Sequence, residues 1–135
     1  MKNLGFVVTA ALVVAGCASF GPDEIYLPKL PTPAPGTEPI RLTGSVSGTL
    51  VVDRGCVKLR QANGGRLLTV LWHHETELAS PPSTGLINRD TGRLYPFGTT
   101  VGLGGGYLSE ERAKVLYPVA AERCGGPFAT GWFPE

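Results

Sequence analysis

The chain has 135 residues, with 12 lysines and arginines against 11 aspartates and glutamates and a formal charge of +1. So even a balance leaves no basic stripe, and a nucleic-acid partner reached by phosphate steering is excluded. Past residue 40 there is chain for one small domain, near the lower size at which a single core supports itself.

The first element is an export segment. Met1-Lys2-Asn3 carries one positive side chain, and residues 4–15 are apolar apart from Gly5 and Thr9. A run of roughly a dozen apolar residues is shorter than the ~20 that a helix needs to cross a hydrocarbon core. Its small-residue end suits a peptidase better than a stop-transfer signal. Val14-Ala15-Gly16-Cys17 closes the run, and these four residues resemble the lipobox of bacterial prolipoproteins, with Val14 where leucine is commoner. The resemblance covers the first 20 or so residues. It implies a signal peptide over 1–16, cleavage before Cys17, a diacylglycerol thioether on Cys17 and further acylation, such as palmitate, at the new amino terminus. One acyl chain, at ~0.8 kcal/mol per buried methylene, holds a protein only marginally, so two or three on one residue are what give stable attachment. In Gram-negative members an aspartate after the cysteine retains the protein at the inner membrane. Ala18 stands there in this chain, which implies the outer membrane, facing the periplasm. The alternative is an ordinary secretory signal in which Cys17 is incidental.

Six of the 12 prolines fall within residues 20–39. Each lacks an amide donor and biases the residue before it toward extended geometry. Residues 17–39 therefore read as a lipidated, semi-rigid tether, which at ~3.1 Å per residue would hold a domain up to roughly 70 Å from the bilayer. A proline-rich ligand for some partner is the other reading, but no clustered basic residues accompany the prolines.

Residues 40–135 form the globular part. Val46, Leu50 and Val52 share a period of two, Asp53-Arg54-Gly55 reads as a turn, and Cys56-Val57-Lys58-Leu59-Arg60 alternates as a second strand. The turn residues 61–65 precede Arg66-Leu67-Leu68-Thr69-Val70-Leu71-Trp72, a strand apolar on both sides. Residues 73–84 read as a long loop containing Pro81-Pro82. Short strands follow near Leu86-Ile87-Asn88, Arg93-Leu94-Tyr95 and residues 99–103. Gly102-Leu103-Gly104-Gly105-Gly106 then reads as a turn from sheet to helix. Ser109 caps one helix whose first turn holds Glu110 and Glu111 and whose buried face holds Ala113, Leu116 and Tyr117. Pro118 breaks or kinks it, with a further turn open to residues 119–123. The fold class expected is mainly β, a small OB-like antiparallel barrel or sandwich with one short C-terminal helix, with α+β as the alternative. A strand over the Gly- and Pro-rich tail would close the sheet.

With Cys17 lipidated, Cys56 and Cys124 remain as a pair, and an oxidising envelope compartment favours a disulfide over two buried thiols. On the chain-entropy account, closing so long a loop contributes roughly 4 kcal/mol.

The candidate chemistry lies at His73-His74-Glu75-Thr76-Glu77. On an extended chain His73, Glu75 and Glu77 point one way, and imidazole with carboxylate suits zinc or a similar ion. Adjacent histidines point apart, however, and HExxH is absent, so a polar loop leaving a buried strand is favoured and no metal or cofactor is expected. The glycine run lacks the third fingerprint glycine, which would fall at Tyr107, and so gives no dinucleotide loop. Gly44-Ser45-Val46-Ser47-Gly48 has valine where a nucleophile elbow needs serine. The order of a Gly-Thr-Leu strand, a cysteine strand, an apolar strand ending in tryptophan and a later glycine cluster resembles small uncharacterised bacterial lipoproteins, and that resemblance implies no particular activity. The function expected is that of a lipid-anchored envelope protein with a non-catalytic binding or scaffolding domain, whose partners are the membrane and an envelope protein or glycan. A metal-binding or hydrolytic role for the His73, His74 and Glu75 loop is the alternative. Aromatic side chains exposed on one sheet face would mark an OB-like surface for glycans or peptides.

Overall fold

The structure, a computed structural model, describes residues 24–38, 41–62, 65–82 and 84–134. The signal segment and Cys17 lie outside them. The chain forms β1 (Gly44–Asp53), β2 (Cys56–Arg60), β3 (Leu67–Trp72), β4 (Thr76–Leu78), β5 (Gly85–Asn88), β6 (Leu94–Pro96), β7 (Thr100–Leu108), α1 (Glu110–Leu116), α2 (Pro118–Cys124) and β8 (Phe128–Trp132). Five strands close a barrel in the order β1-β2-β3-β8-β7, and β4-β5-β6 make a small second sheet. The architecture is mainly β with an OB-type barrel.

The barrel departs from the expected all-antiparallel pattern in one pair, because β8 runs parallel to β3 with Thr69 opposite Phe128 and Trp72 opposite Gly131. A parallel neighbour needs a crossover connection. Everything from β4 to α2 supplies it. β1 is long enough to serve two partners, meeting β7 over Gly44 to Thr49 and β2 from Thr49 to Asp53. At its far end the hairpin turn holds Arg54 and Gly55 at φ 50° and 76°, where glycine is at ease and arginine is not. Val46, Leu50, Val57, Leu59, Leu68, Val70, Trp72, Val101 and Leu103 fill the interior, the alternate residues of their strands as a pleated sheet requires. Val52, expected to share the Val46 and Leu50 face, is exposed at the end of β1.

Four further expectations are corrected. The stretch after Trp72 is not all loop, since Thr76, Glu77 and Leu78 pair with Asn88, Ile87 and Leu86. The glycine run does not turn the chain toward a helix but lies within β7, opposite both β1 and β8. Its reason is steric. Trp132 lies against Gly104, and a Cβ there would clash with its indole ring. Gly131 has the same role on the inner side, where a Cβ would meet Val70 and Leu103.

The third correction concerns the helix. Ser109 caps α1 by accepting from the Arg112 amide at 3.3 Å, but Pro118 starts a second helix in place of one extra turn. Proline has no amide to continue the first ladder and is at home in the first turn of the next. Of the face expected to be buried, Ala113 is buried, Tyr117 is half-buried and Leu116 is exposed.

The proline-rich segment is also not all spacer. The Tyr26 amide donates to the Gly55 carbonyl at 2.7 Å and the Val57 amide to Tyr26 at 3.1 Å, while the Trp72 amide donates to Pro28 at 2.9 Å and the Leu30 amide to Trp72 at 2.7 Å. The β2–β3 register runs only from Lys58–Thr69 to Arg60–Leu67, so the start of β2 and the end of β3 would otherwise present open edges. Buried edges need partners, and this strap supplies them. Only the alternate residues 26, 28 and 30 bond, and Pro28 is asked only for its carbonyl, so its missing amide costs nothing. Ile25 and Leu27 pack against the barrel core.

Cys56 and Cys124 are bonded to each other across 68 residues, with 5.8 Å between their Cα atoms. The bond staples α2 to the first residue of β2.

Gly104→Ala should force Trp132 off β7 and lower stability by about 1–3 kcal/mol, the usual scale of overpacking. Urea unfolding checks this. A midpoint unchanged from the wild type would contradict the packing described.

Candidate functional site

β3 ends where the His73 amide donates to the Gly131 carbonyl at 3.1 Å, and a tight turn follows in which the Thr76 amide reaches the His73 carbonyl at 3.0 Å. This turn carries the chain from the barrel into the second sheet, so the residues expected to hold chemistry sit at the junction of the two. They do not converge. His73 and Glu75 are buried, with only 3% and 2% of their surface exposed. Glu77 lies on β4 and pairs with Arg89 at 3.2 Å on the outer surface.

Glu75 is held from a distant part of the chain. Arg41 Nη2 lies 3.4 Å from its Oε1, and the same guanidinium sits 4.8 Å above the Trp132 ring. A planar cation suits both contacts at once. His74 Nδ1 stands 3.4 Å from the other carboxylate oxygen without meeting hydrogen-bond geometry, so Oε2 has no donor among the described residues. Carboxylates buried this deeply are paired as a rule, because removing the cation strands a charge in a low dielectric.

Burial lowers the pKa of His73 below its ordinary value; Glu75 pulls it upward, while Arg41 and His74 add to the lowering. His73 is therefore a neutral imidazole at pH 7. Among the described residues no three His, Cys, Asp or Glu side chains come together as a metal site. His73, Glu75 and Glu77 are not brought onto one face, because the turn at residues 74–75 breaks the extended geometry that would have aligned them.

The structure places a concavity beside the two histidines. Residues 30–33 form one wall, His73 and His74 another, and Glu38 and Tyr117 complete it around about 290 Å³. Its lining combines a leucine, two prolines and a tyrosine with one imidazole pair and one carboxylate, a mixed surface suited to a side chain or small group carrying both apolar and polar atoms. The histidines were singled out in the sequence. Glu38, Thr32 and Tyr117 were not, since the strap that carries the first two read as a spacer.

The face that barrels of this type present to oligonucleotides and oligosaccharides, strands 2 and 3, is covered here by the chain itself. Cys56, Val57, Lys58 and Leu59 of β2 are all buried, as are residues 68–72 of β3. The strap lies along its edge, Cys124 is bonded to Cys56, and Thr69 Oγ1 donates to the Gly125 carbonyl at 2.6 Å. The aromatic side chains do not line an open sheet face either. Trp72, Phe128 and Phe133 are buried. Tyr95 stacks on Phe133 at 3.7 Å between ring centres and Trp132 lies under Arg41. Tyr107 is exposed and receives the Gln61 side-chain amide at 2.9 Å.

No protein-family model matches the chain, and comparison with curated proteins and with solved structures finds no significant match.

The lowered His73 value sets a sign for pH dependence. The unfolded imidazole takes up its proton near pH 6.5 while the folded one resists until lower pH, so stability is complete above about 6.5 and falls as pH drops toward the folded value. His73→Gln should remove this component. Urea midpoints for both proteins between pH 7.5 and pH 5, an interval of about one unit or more on each side of the imidazole value, should converge as pH falls; parallel curves would contradict the assignment.

Proposed function

We propose that the chain is a lipid-anchored protein of the cell envelope whose barrel is a non-catalytic binding or scaffolding domain. The observation that carries this reading is the bond between Cys56 and Cys124. It engages two of the three cysteines, suits an oxidising compartment, and leaves Cys17 as the unpaired one, directly after the small residues that end the apolar leader.

The site chemistry supports binding over catalysis or metal chemistry. Glu75 is engaged by Arg41 and Glu77 by Arg89, so both carboxylates of the sequence motif are committed to ion pairs within the fold. His73 is fixed as a neutral wall of a concavity. A partner, an envelope protein or a glycan, would meet that concavity through the apolar strap wall and the two imidazoles. The covered β2–β3 face removes the nucleic-acid platform of the barrel, in keeping with the balanced charge.

The anchor is tested directly by intact mass and fractionation in the native host. The mature chain should begin at residue 17, weigh more than the bare peptide by its acyl groups, and stay with the membranes through a high-salt wash. Cys17→Ser should release the protein into the aqueous fraction. A wild-type mass equal to that of the unmodified peptide would overturn the proposal.

A further inference from the structure

We propose that the apolar corner where α1 meets α2, formed by Val115, Leu116 and Val119, rests in the headgroup region of the bilayer that holds the lipid anchor. This inference depends on Cys17 being lipidated, and it concerns how the domain sits once anchored. The three side chains are 79%, 52% and 59% exposed and lie within five residues of one another. The other large apolar side chains exposed among the described residues, Leu42, Val52, Leu94 and Tyr107, lie apart from them in the chain.

Covalent reach decides what this corner meets. The strap is docked from Tyr26 onward, so the chain between Cys17 and Glu24 is six residues, 18–23. Seven Cα-to-Cα steps span at most about 25 Å, far less than the extended tether of the sequence reading. A compact unit of this size has a radius of gyration near 13 Å. The domain is therefore confined near the bilayer, with Glu24 never more than about 25 Å from Cys17, and the surface around Glu24 meets the lipid at high effective concentration.

The strap leads to this corner. Tyr26 lies under the Arg123 guanidinium, 4.2 Å from its ring, and residues 30–33 share a concavity with Tyr117. The segment thus runs beside α2 from its last turn to its first. At 1.5 Å per residue Val119 is only about 6 Å along the helix axis from Arg123, well inside the reach of the linker. Arg112, Lys114 and Arg123 are matched in the same two helices by Glu110, Glu111 and Glu122. With charge cancelled, apolar burial supplies the attraction, and the depth expected is that of an interfacial helix, ~5–10 Å into the headgroup and acyl boundary. The contact should therefore be insensitive to anionic lipid.

The test uses the full-length acylated protein in phosphatidylethanolamine vesicles, with and without phosphatidylglycerol, made with plain or brominated acyl chains. V119W adds an indole at the corner and L94W adds one on β6, the wild type supplying the background of Trp72 and Trp132. The V119W increment should lose about half or more of its emission in brominated vesicles, as expected for an indole at that interfacial depth, equally in both lipid mixtures, while the L94W increment keeps its emission. Vesicle-bound, acylated V119W with unquenched emission would overturn the inference and leave the anchor standing. A blue shift that grows with protein concentration without quenching would overturn it in favour of a second copy covering the corner. A mass without acyl groups would overturn the anchor itself, and the inference with it.

Discussion

Four backbone hydrogen bonds tie Tyr26, Pro28 and Leu30 to Gly55, Val57 and Trp72, and much of the molecule depends on them. β2 and β3 part company after the Lys58–Thr69 pair, because β3 must bend toward β8 to close the barrel. The strap fills the opening this leaves. It satisfies backbone groups that neither neighbouring strand can reach, brings Ile25 and Leu27 onto the core, and carries Leu30 to Pro33 to the side of the two histidines. The same docking leaves six residues of sequence between Cys17 and Glu24. A segment whose composition suggests a spacer is, over its first described half, docked on the domain through isolated bridges to Cys56 and Trp72.

Closure by β8 is the second constraint, and it explains the composition of the glycine-rich segments. A parallel neighbour for β3 brings Gly131 and Trp132 opposite Gly105 and Gly104. Small residues must stand wherever the indole or the opposing backbone comes close. Trp132, once seated on β7, offers its outer surface to Arg41, and Arg41 in turn neutralises Glu75. The seating of Trp132 on β7 is thus connected through Arg41 to the Glu75 carboxylate in the turn after β3. The burial that drives His73 neutral belongs to the same arrangement, since its amide is held by the Gly131 carbonyl.

The strands were legible where alternation was regular. β2 has the limits that its apolar pattern indicates and β3 begins one residue after the expected Arg66, and the pairing of Cys56 with Cys124 followed from counting cysteines under the expectation of an oxidising compartment. β4 was hidden because three residues with two charged or polar side chains show no period, and only the pairing of Thr76 with Asn88 makes them a strand. The Arg41–Glu75 pair spans 34 positions and leaves no local signal, so the sequence, which favoured a polar loop over a metal site at the histidine motif, did not show what holds its carboxylates. The strap was misread for a related reason. Proline at alternate, non-donating positions is compatible with an edge strand, but composition alone suggests a free polyproline chain.

Amide hydrogen exchange on the intact protein tests the docked strap most directly. The amides of Tyr26 and Leu30 should be protected to the same degree as those of Val57 and Trp72, because each pair shares one cooperative opening. Exchange of the Tyr26 and Leu30 amides at the rate of an unstructured peptide, with the barrel still protected, would contradict the account and return the segment to the status of a free tether.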